Sequence, residues 1–180
     1  LHSSYEEIGV FGTSAAIILE DFNDIIRGRN FTIGEYYLGA SSNGKVNALA
    51  REYWLTVGQC VEEFGIDNCS QTIQDAYKNN RPDQWIAISM LIEANDDRIE
   101  GKKDFKNMPF RCAYWETNDS SDKFLKVSGF EDFPVLAPRW DLTTTADVYG
   151  KGPGWDVIGD VKMLQKMQRD KLIALGKLVD

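Results

Sequence analysis

The sequence has one histidine and three cysteines among 180 residues, and both shortages exclude classes of function. The histidine, His2, is the second residue, where we expect a frayed terminus, so we predict no catalytic histidine. The cysteines, Cys60, Cys69 and Cys112, are odd in number and have no Cys-x-x-Cys spacing, which indicates neither a disulfide framework nor a zinc site. We therefore expect a reducing compartment, and no metal or other cofactor.

The motifs of the common enzyme classes are missing as well. The sequence contains no Gly-x-Ser-x-Gly elbow, no His-Glu-x-x-His pair, no Walker loop and no dinucleotide-binding glycine pattern. The run Gly150-Lys151-Gly152-Pro153-Gly154 precedes a predicted helix but lacks the spacing of a phosphate loop, so it predicts a turn and a helix start. Adjacent carboxylates such as Glu62-Glu63 point apart and indicate a solvated face. We predict a protein that is not an enzyme.

Long hydrophobic runs and a leader pattern are also lacking. No stretch approaches the roughly 18 consecutive apolar residues of a membrane span, so we expect no contact with a membrane. The 28 acidic residues outnumber the 20 basic ones, and the net charge of −8 repels polyanions, which excludes a general nucleic-acid binder. The sequence begins at Leu1 and stops directly after an amphipathic run, so we expect a piece of a longer protein.

The hydrophobic content of 43% is enough for a core, and the length fits one domain with an appendage. The periodicity predicts strands over residues 15–19, 31–38, 46–54, 85–92, 110–115, 124–127 and 133–140, with short helices over 4–12, 57–64 and 70–77. Asn43-Gly44 predicts a hairpin, while Pro134 and Pro138 place the last strand at an edge or a bend. The predicted fold class is α+β, built on antiparallel strands.

The end of the chain differs from the rest. Pro153 fits a first helical turn, and apolar residues then recur at steps mostly of three or four: Val157, Ile158, Val161, Leu164, Met167, Leu172, Leu175 and Leu178. This pattern predicts a helix of roughly 23 residues, about 34 Å long. Residues 1–150 carry a net charge of −10 and residues 151–180 a net charge of +2. We expect a domain over 1–150 and a helix over 151–180 that packs on something outside this sequence.

Three segments in the second half of the chain form a joint pattern. They are the segment 129–140 with Phe133, Pro134, Arg139 and Trp140, then Tyr149-Gly150-Lys151-Gly152-Pro153, and then Asp160-Val161-Lys162-Met163-Leu164. In this order and spacing they resemble the signature of portal proteins, the head-to-tail connecting proteins of short-tailed bacteriophages. The turn Val10-Phe11-Gly12-Thr13 and the final Leu178-Val179-Asp180 are similar to that family too, so the resemblance spans nearly the whole sequence.

Two positions depart from the family pattern. Lys151 stands where the family usually has arginine, which keeps the charge but loses the planar fork of donors. Gly159 lies inside the long helix, at a cost of roughly 1 kcal/mol relative to alanine. Neither departure changes the assignment.

The resemblance implies a structural protein that forms a ring, typically of twelve subunits, at one vertex of the phage head. Double-stranded DNA would pass through the channel without sequence specificity, and terminase, tail or adaptor proteins and capsid or scaffold proteins would dock on the ring. Residues 1–150 would form the peripheral wing and 151–180 the first stem helix, while the clip, the second stem helix and the crown lie outside this sequence. The location would be the portal vertex of the virion, and the host cytoplasm during assembly, for a free phage or a prophage alike.

The resemblance also implies architectural residues that fix the junction between wing and stem. They are Phe133, Pro134, Arg139, Trp140, Tyr149, Gly150, Lys151, Gly152 and Pro153. Two other functions remain open on the residues alone. A non-catalytic binding module would need an exposed aromatic platform or apolar patch. A phage glycoside hydrolase would need two carboxyl groups facing each other across a cleft.

Overall fold

A computed structural model describes residues 2–99, 101–102, 104–119 and 123–179 of the chain. Its elements are α1 (His2–Phe11), β1 (Ala15–Asp21), β2 (Ile25–Phe31), β3 (Tyr36–Ala40), β4 (Val46–Thr56), α2 (Val57–Phe64), α3 (Gln71–Lys78), β5 (Trp85–Ala94), β6 (Phe110–Glu116), β7 (Lys126–Phe130), β8 (Val135–Leu136) and α4 (Pro153–Val179). The strands form two antiparallel sheets, with the orders β2-β1-β8 and β3-β4-β5-β6-β7. The predicted α+β class with a long final helix is confirmed.

Two groups of buried side chains form the core. The larger group joins the two sheets and is built on Ile17, Phe31, Leu49, Ile92 and Val135, together with their neighbours. The smaller group lies under α2 and α3. Because strand side chains alternate between faces, one face of the five-stranded sheet supplies both groups.

A buried arginine lies where the two sheets meet. The guanidinium of Arg51 is 4.7 Å from the ring centre of Phe31 and 4.5 Å from that of Tyr53. Its Nη2 lies 3.6 Å from a carboxylate oxygen of Glu35. Burial lowers the pKa of Arg51, and a neighbouring cation, Arg29, lowers it further. The aromatic faces and the carboxylate partly replace the water that this cation loses on folding.

The short helices predicted over 57–64 and 70–77 and the predicted hairpin are confirmed, and each helix begins at a side-chain cap. The Thr56 hydroxyl accepts a hydrogen bond from the Gln59 N–H at 3.3 Å, while the Gln59 side chain accepts one from the Thr56 N–H at 3.0 Å. This capping box starts α2, and Ser70 caps α3 in a similar way by accepting from Ile73 N–H at 3.3 Å. The Asn43-Gly44 hairpin joins β3 to β4.

One strand prediction is wrong here, and one strand was missed. The predicted strand 31–38 is two strands separated by a turn at 32–35, where the Glu35 N–H donates to the Thr32 carbonyl at 3.0 Å and Gly34 adopts a φ of +96°. The strand β2, which no pattern predicted, is exposed along all but its last residue. Its partner β1 was predicted, and the pair forms a hairpin.

The predicted strand 133–140 shrinks to the two residues of β8 and an isolated bridge between Thr13 and Arg139. The reason is the pair of prolines, because proline has no N–H to donate to a sheet. Their carbonyls still accept: Pro134 from the Ile18 N–H at 3.0 Å, and Pro138 from the Ser14 N–H at 3.2 Å. The strand β7 begins two residues later than the predicted 124–127.

The long helix α4 has 27 residues, more than the roughly 23 predicted, and lies within the predicted range 151–180. Every residue from 155 to 177 is exposed, and α4 contacts the rest of the chain near its start, against α1. The side chains of Leu178 and Val179, and the whole of Asp180, lie outside the described residues. No helix in the described ranges combines the length and apolarity that a bilayer crossing requires.

All three cysteines are buried and free. Burial raises the pKa of each thiol, and it raises the pKa of Cys60 to about 12, with a smaller contribution from the neighbouring Cys69. These thiols therefore behave as small core side chains rather than as nucleophiles.

Candidate functional site

Seven of the nine residues singled out from the sequence lie in one place. We call this place the junction and define it as residues 10–14 together with 138–155, where α1 ends and α4 begins. The other two lie upstream of it. The ring of Phe133 packs against Phe110 with centroids 5.4 Å apart, and Pro134 bonds to β1.

Glycines allow two backbones to touch at the junction. A Cβ on Gly150 would lie 2.4 Å from the carbonyl oxygen of Gly12, and one on Gly152 would lie 2.7 Å from the Gly12 nitrogen. Gly12 itself has a φ of +81°, and a Cβ there would lie 2.3 Å from the Gly152 nitrogen. Gly154 repeats the close approach against the Val10 carbonyl at 3.0 Å. The glycine-rich run is therefore a packing surface for the end of α1.

Hydrogen bonds close the same contact. The hydroxyl of Thr13, which is fully buried, accepts a hydrogen bond from the Gly150 N–H at 2.7 Å. The Trp140 N–H donates to the Gly12 carbonyl at 2.9 Å. Both ends of the segment 140–150 are thus bonded to the turn that follows α1.

Arg139 connects the junction to the β3–β4 hairpin. Its Nη1 donates to the carbonyl of Asp147 at 3.2 Å, and its Nη2 donates to the carbonyl of Gly44 at 2.9 Å. The Asp147 carboxylate in turn accepts from the Thr144 N–H at 2.7 Å. A lysine has one nitrogen and could not bond to both carbonyls in this way.

Tyr149 and Glu7 attach the junction to the five-stranded sheet. The Tyr149 hydroxyl accepts from the Leu38 N–H on the edge strand β3 at 2.9 Å. On α1, Glu7 Oε1 accepts from the Ile33 N–H at 3.1 Å. Burial raises the pKa of Glu7; the Ile33 hydrogen bond lowers it, and Glu35 raises it again. Its other oxygen, Oε2, is buried and finds no hydrogen-bond partner among the described residues.

The start of α4 carries an ion pair and borders a groove. The Lys151 ammonium contacts the Asp156 carboxylate. Beside it, a mostly apolar groove of about 510 Å³ is lined by residues that include Phe11, Tyr149 and Trp155. Across the described ranges, no group of three or more histidine, cysteine or carboxylate side chains is arranged to hold a metal ion.

Gly12, Thr13 and Gly44 also bond to or touch the junction residues, although no sequence pattern predicted an architectural role for them. A glycine directly after a predicted helix is a helix-stop signal, and it marks the position of Gly12. No local signal could pair it with Gly150, because the two are far apart in the chain and meet only through the fold.

Comparison with known proteins adds three findings. The family described as "Bacteriophage head to tail connecting protein" matches residues 1–180. The "Probable portal protein" of Bordetella phage BPP-1 is 40% identical over 175 residues, which cover 97% of this chain and 31% of that protein. The "Portal protein" of Salmonella phage epsilon15 is 41% identical over 174 residues, covering 96% of this chain and 31% of that protein. The chain thus spans about 31% of the length of both relatives.

Proposed function

The chain belongs to the family of bacteriophage head to tail connecting proteins, and from this premise we propose that it is part of a phage portal subunit. In this proposal the whole protein is structural and catalyses no reaction. It forms a ring at the portal vertex of the virion after assembly in the host cytoplasm. Capsid or scaffold proteins, tail or adaptor proteins and terminase dock on the ring, and double-stranded DNA is packaged and ejected through its channel.

The observation that carries the proposal is the long helix α4. It extends from an acidic body through a rigid junction and exposes large apolar side chains to solvent along its length, such as Leu164 at 56% and Leu172 at 69%. A helix of 27 residues with that much apolar surface requires packing partners. Neighbouring subunits of a ring supply such partners.

We assign residues 1–150 to the peripheral wing and 151–180 to the first stem helix. Lys and Arg contacts to phosphates are what hold proteins on DNA. The net negative charge of the wing therefore suits a channel through which DNA passes without being retained. The exposed apolar surface alone would also suit a binding module. The family match along the whole chain favours the portal.

The test is electron microscopy of the full-length parent protein, with the mass in solution measured on the same sample. We expect rings with a central hole and a mass near twelve subunits. A homogeneous monomer that does not close at high concentration would contradict the portal proposal and favour the binding module.

We also propose that the nine junction and strand residues named from the sequence are architectural. In the full-length protein, Gly150→Ala or a substitution of Pro153 is expected to lower ring yield more than it disturbs the sheets, because both residues set the direction of α4. An unchanged ring yield in both variants would refute this role.

A further inference from the structure

The charged side chains of α4 fall into two rows along the helix. The basic row consists of Lys162, Lys166, Arg169 and Lys177. The acidic row consists of Asp156, Asp160 and Asp170. At 3.6 residues per turn each row occupies an arc of about 80°, and the centres of the two arcs lie about 100° apart. Every one of these residues is exposed.

The rest of the helix surface is mainly apolar. Val157, Val161, Leu164, Leu172 and Leu175 lie in a third arc, and each is between 44% and 69% exposed. One further cation, Lys171, lies between the acidic row and the apolar arc, outside the basic row. Exposed apolar side chains also lie within the charged arcs, Trp155 and Ile173 in the basic one and Met163 and Met167 in the acidic one. The helix therefore has one apolar side and two sides on which charges of one sign alternate with apolar groups.

The body of the protein does not use the two charged sides. Within the ranges that the structure describes, the basic row forms no ion pair. In the acidic row, Asp156 pairs with Lys151 just before the helix, and Asp160 and Asp170 form no ion pair among those residues. Complementary charge is thus present on two flanks of one helix, without a partner in the same chain.

We propose that the basic row of α4 in one subunit pairs with the acidic row of α4 in the next subunit of the ring. This pairing rests on the proposed ring, and it identifies the two surfaces through which neighbouring subunits would contact each other. In a ring every subunit presents one surface to the neighbour on its left and a different one to the neighbour on its right. Two flanks of opposite charge satisfy this requirement, since the contact repeats identically around the ring.

The spacing of the rows fits parallel neighbours. An offset of six residues, about 9 Å along the helix axis, brings Lys162 opposite Asp156 and Lys166 opposite Asp160. Because neighbours in a closed ring are related by rotation without a rise, this offset requires helices that are inclined to the ring axis. Exposed ion pairs are individually weak. Their effect here is on partner choice, because an inverted neighbour that presents the same flank would place like charges together.

The experiment uses the full-length parent protein and two charge-reversed variants. The first carries Lys162→Glu, Lys166→Glu and Arg169→Glu, so that both flanks are acidic. The second carries Asp156→Lys, Asp160→Lys and Asp170→Lys, so that both flanks are basic and the position opposite Lys162 is reversed as well. We expect each variant alone to lose ring yield at least tenfold, and an equal mixture to recover rings in which the two variants alternate.

A charge-matched control carries Lys45→Glu, Lys126→Glu and Lys171→Glu, which changes the net charge as the first variant does but at exposed positions outside the basic row. It should form rings like the wild type. Circular dichroism of each variant checks that the body is folded before assembly is scored.

The outcomes separate the two proposals. A wild-type protein that forms no ring contradicts the portal function itself. Wild-type rings together with normal rings from each variant alone overturn the pairing of the rows. Loss of rings in both variants without recovery in the mixture overturns it too.

Discussion

At Gly150, one added methyl group would collide with an identified backbone atom. The alanine Cβ of Gly150→Ala would lie 2.4 Å from the Gly12 carbonyl oxygen, so α1 and the segment 140–152 must separate. Overpacking of this kind costs about 1–3 kcal/mol. We expect the Trp140 and Lys151 N–H groups to lose protection from amide hydrogen exchange, while the amides of β5 keep theirs.

The matched control is Gly159→Ala in the middle of α4. No atom lies within 4 Å of a Cβ there, and alanine is the better helix former. We expect an unchanged junction and a helix stabilised by up to about 1 kcal/mol. Equal loss of protection in the two variants would contradict the glycine contact.

Glu7 predicts a pH dependence with a definite sign. Its pKa in the folded chain is raised above 4.5, mainly by burial, so folding favours the protonated form. The stabilising contribution of that proton is complete below pH 4.5 and is lost as the pH rises through the folded pKa. Glu7→Gln has no proton to lose, yet its amide oxygen can still accept from the Ile33 N–H.

Relative to the wild type, Glu7→Gln should therefore gain stability as the pH rises from 4.5 through the raised folded pKa of Glu7. Urea unfolding of both proteins at several pH values in this window measures the difference. Two curves that run parallel across the window would show that Glu7 does not titrate abnormally.

The helix α2 depends on its first turn. Because the Thr56 hydroxyl accepts from the Gln59 N–H, Thr56→Ala leaves that donor without its cap, at a cost of about 1 kcal/mol. Thr56→Ser keeps the hydroxyl and should retain most of the stability. The free energy of unfolding in urea distinguishes the two, and an equal loss in both variants would argue against the capping box.

Elements with local signals could be predicted from the sequence, and elements without them could not. Short-range signals depend on residues that are close in sequence, as at the caps Thr56 and Ser70 and the turn Asn43-Gly44. For this reason α2, α3 and the β3–β4 hairpin were identified. The strand β2 was missed because it buries only Phe31 and shows no alternation. Its existence depends on pairing with β1, which is a tertiary contact.

The junction was predictable only in part. The resemblance to a family pointed to Arg139 and Tyr149-Gly150, yet their partners Gly44, Leu38 and Gly12 are distant in sequence. A carbonyl or an N–H group has no sequence signature, because every residue carries one. Contacts of side chain to backbone and of backbone to backbone therefore remained hidden until the fold was known.

The whole molecule can be monitored through its thiols. Cys112 belongs to the core group between the sheets, and Cys60 and Cys69 belong to the group under α2 and α3. Since all three are buried with raised pKa values, we expect negligible alkylation of the native chain near pH 8 and modification of all three in urea. Mass spectrometry counts the modified thiols, and rapid labelling of one cysteine in the native chain would show that its core group opens independently.

The glycine contact at the junction also has a mechanical consequence. Backbone meets backbone between α1 and the start of α4, with no flexible side chains to absorb a displacement. The far end of α4 lies about 40 Å away, so a force applied there acts on the peptide groups of Gly150 and Gly152 with a long lever arm. Glu7 and Tyr149 bond this contact to the backbone on either side of the start of β3. We therefore expect a torque on α4 to be transmitted to the five-stranded sheet.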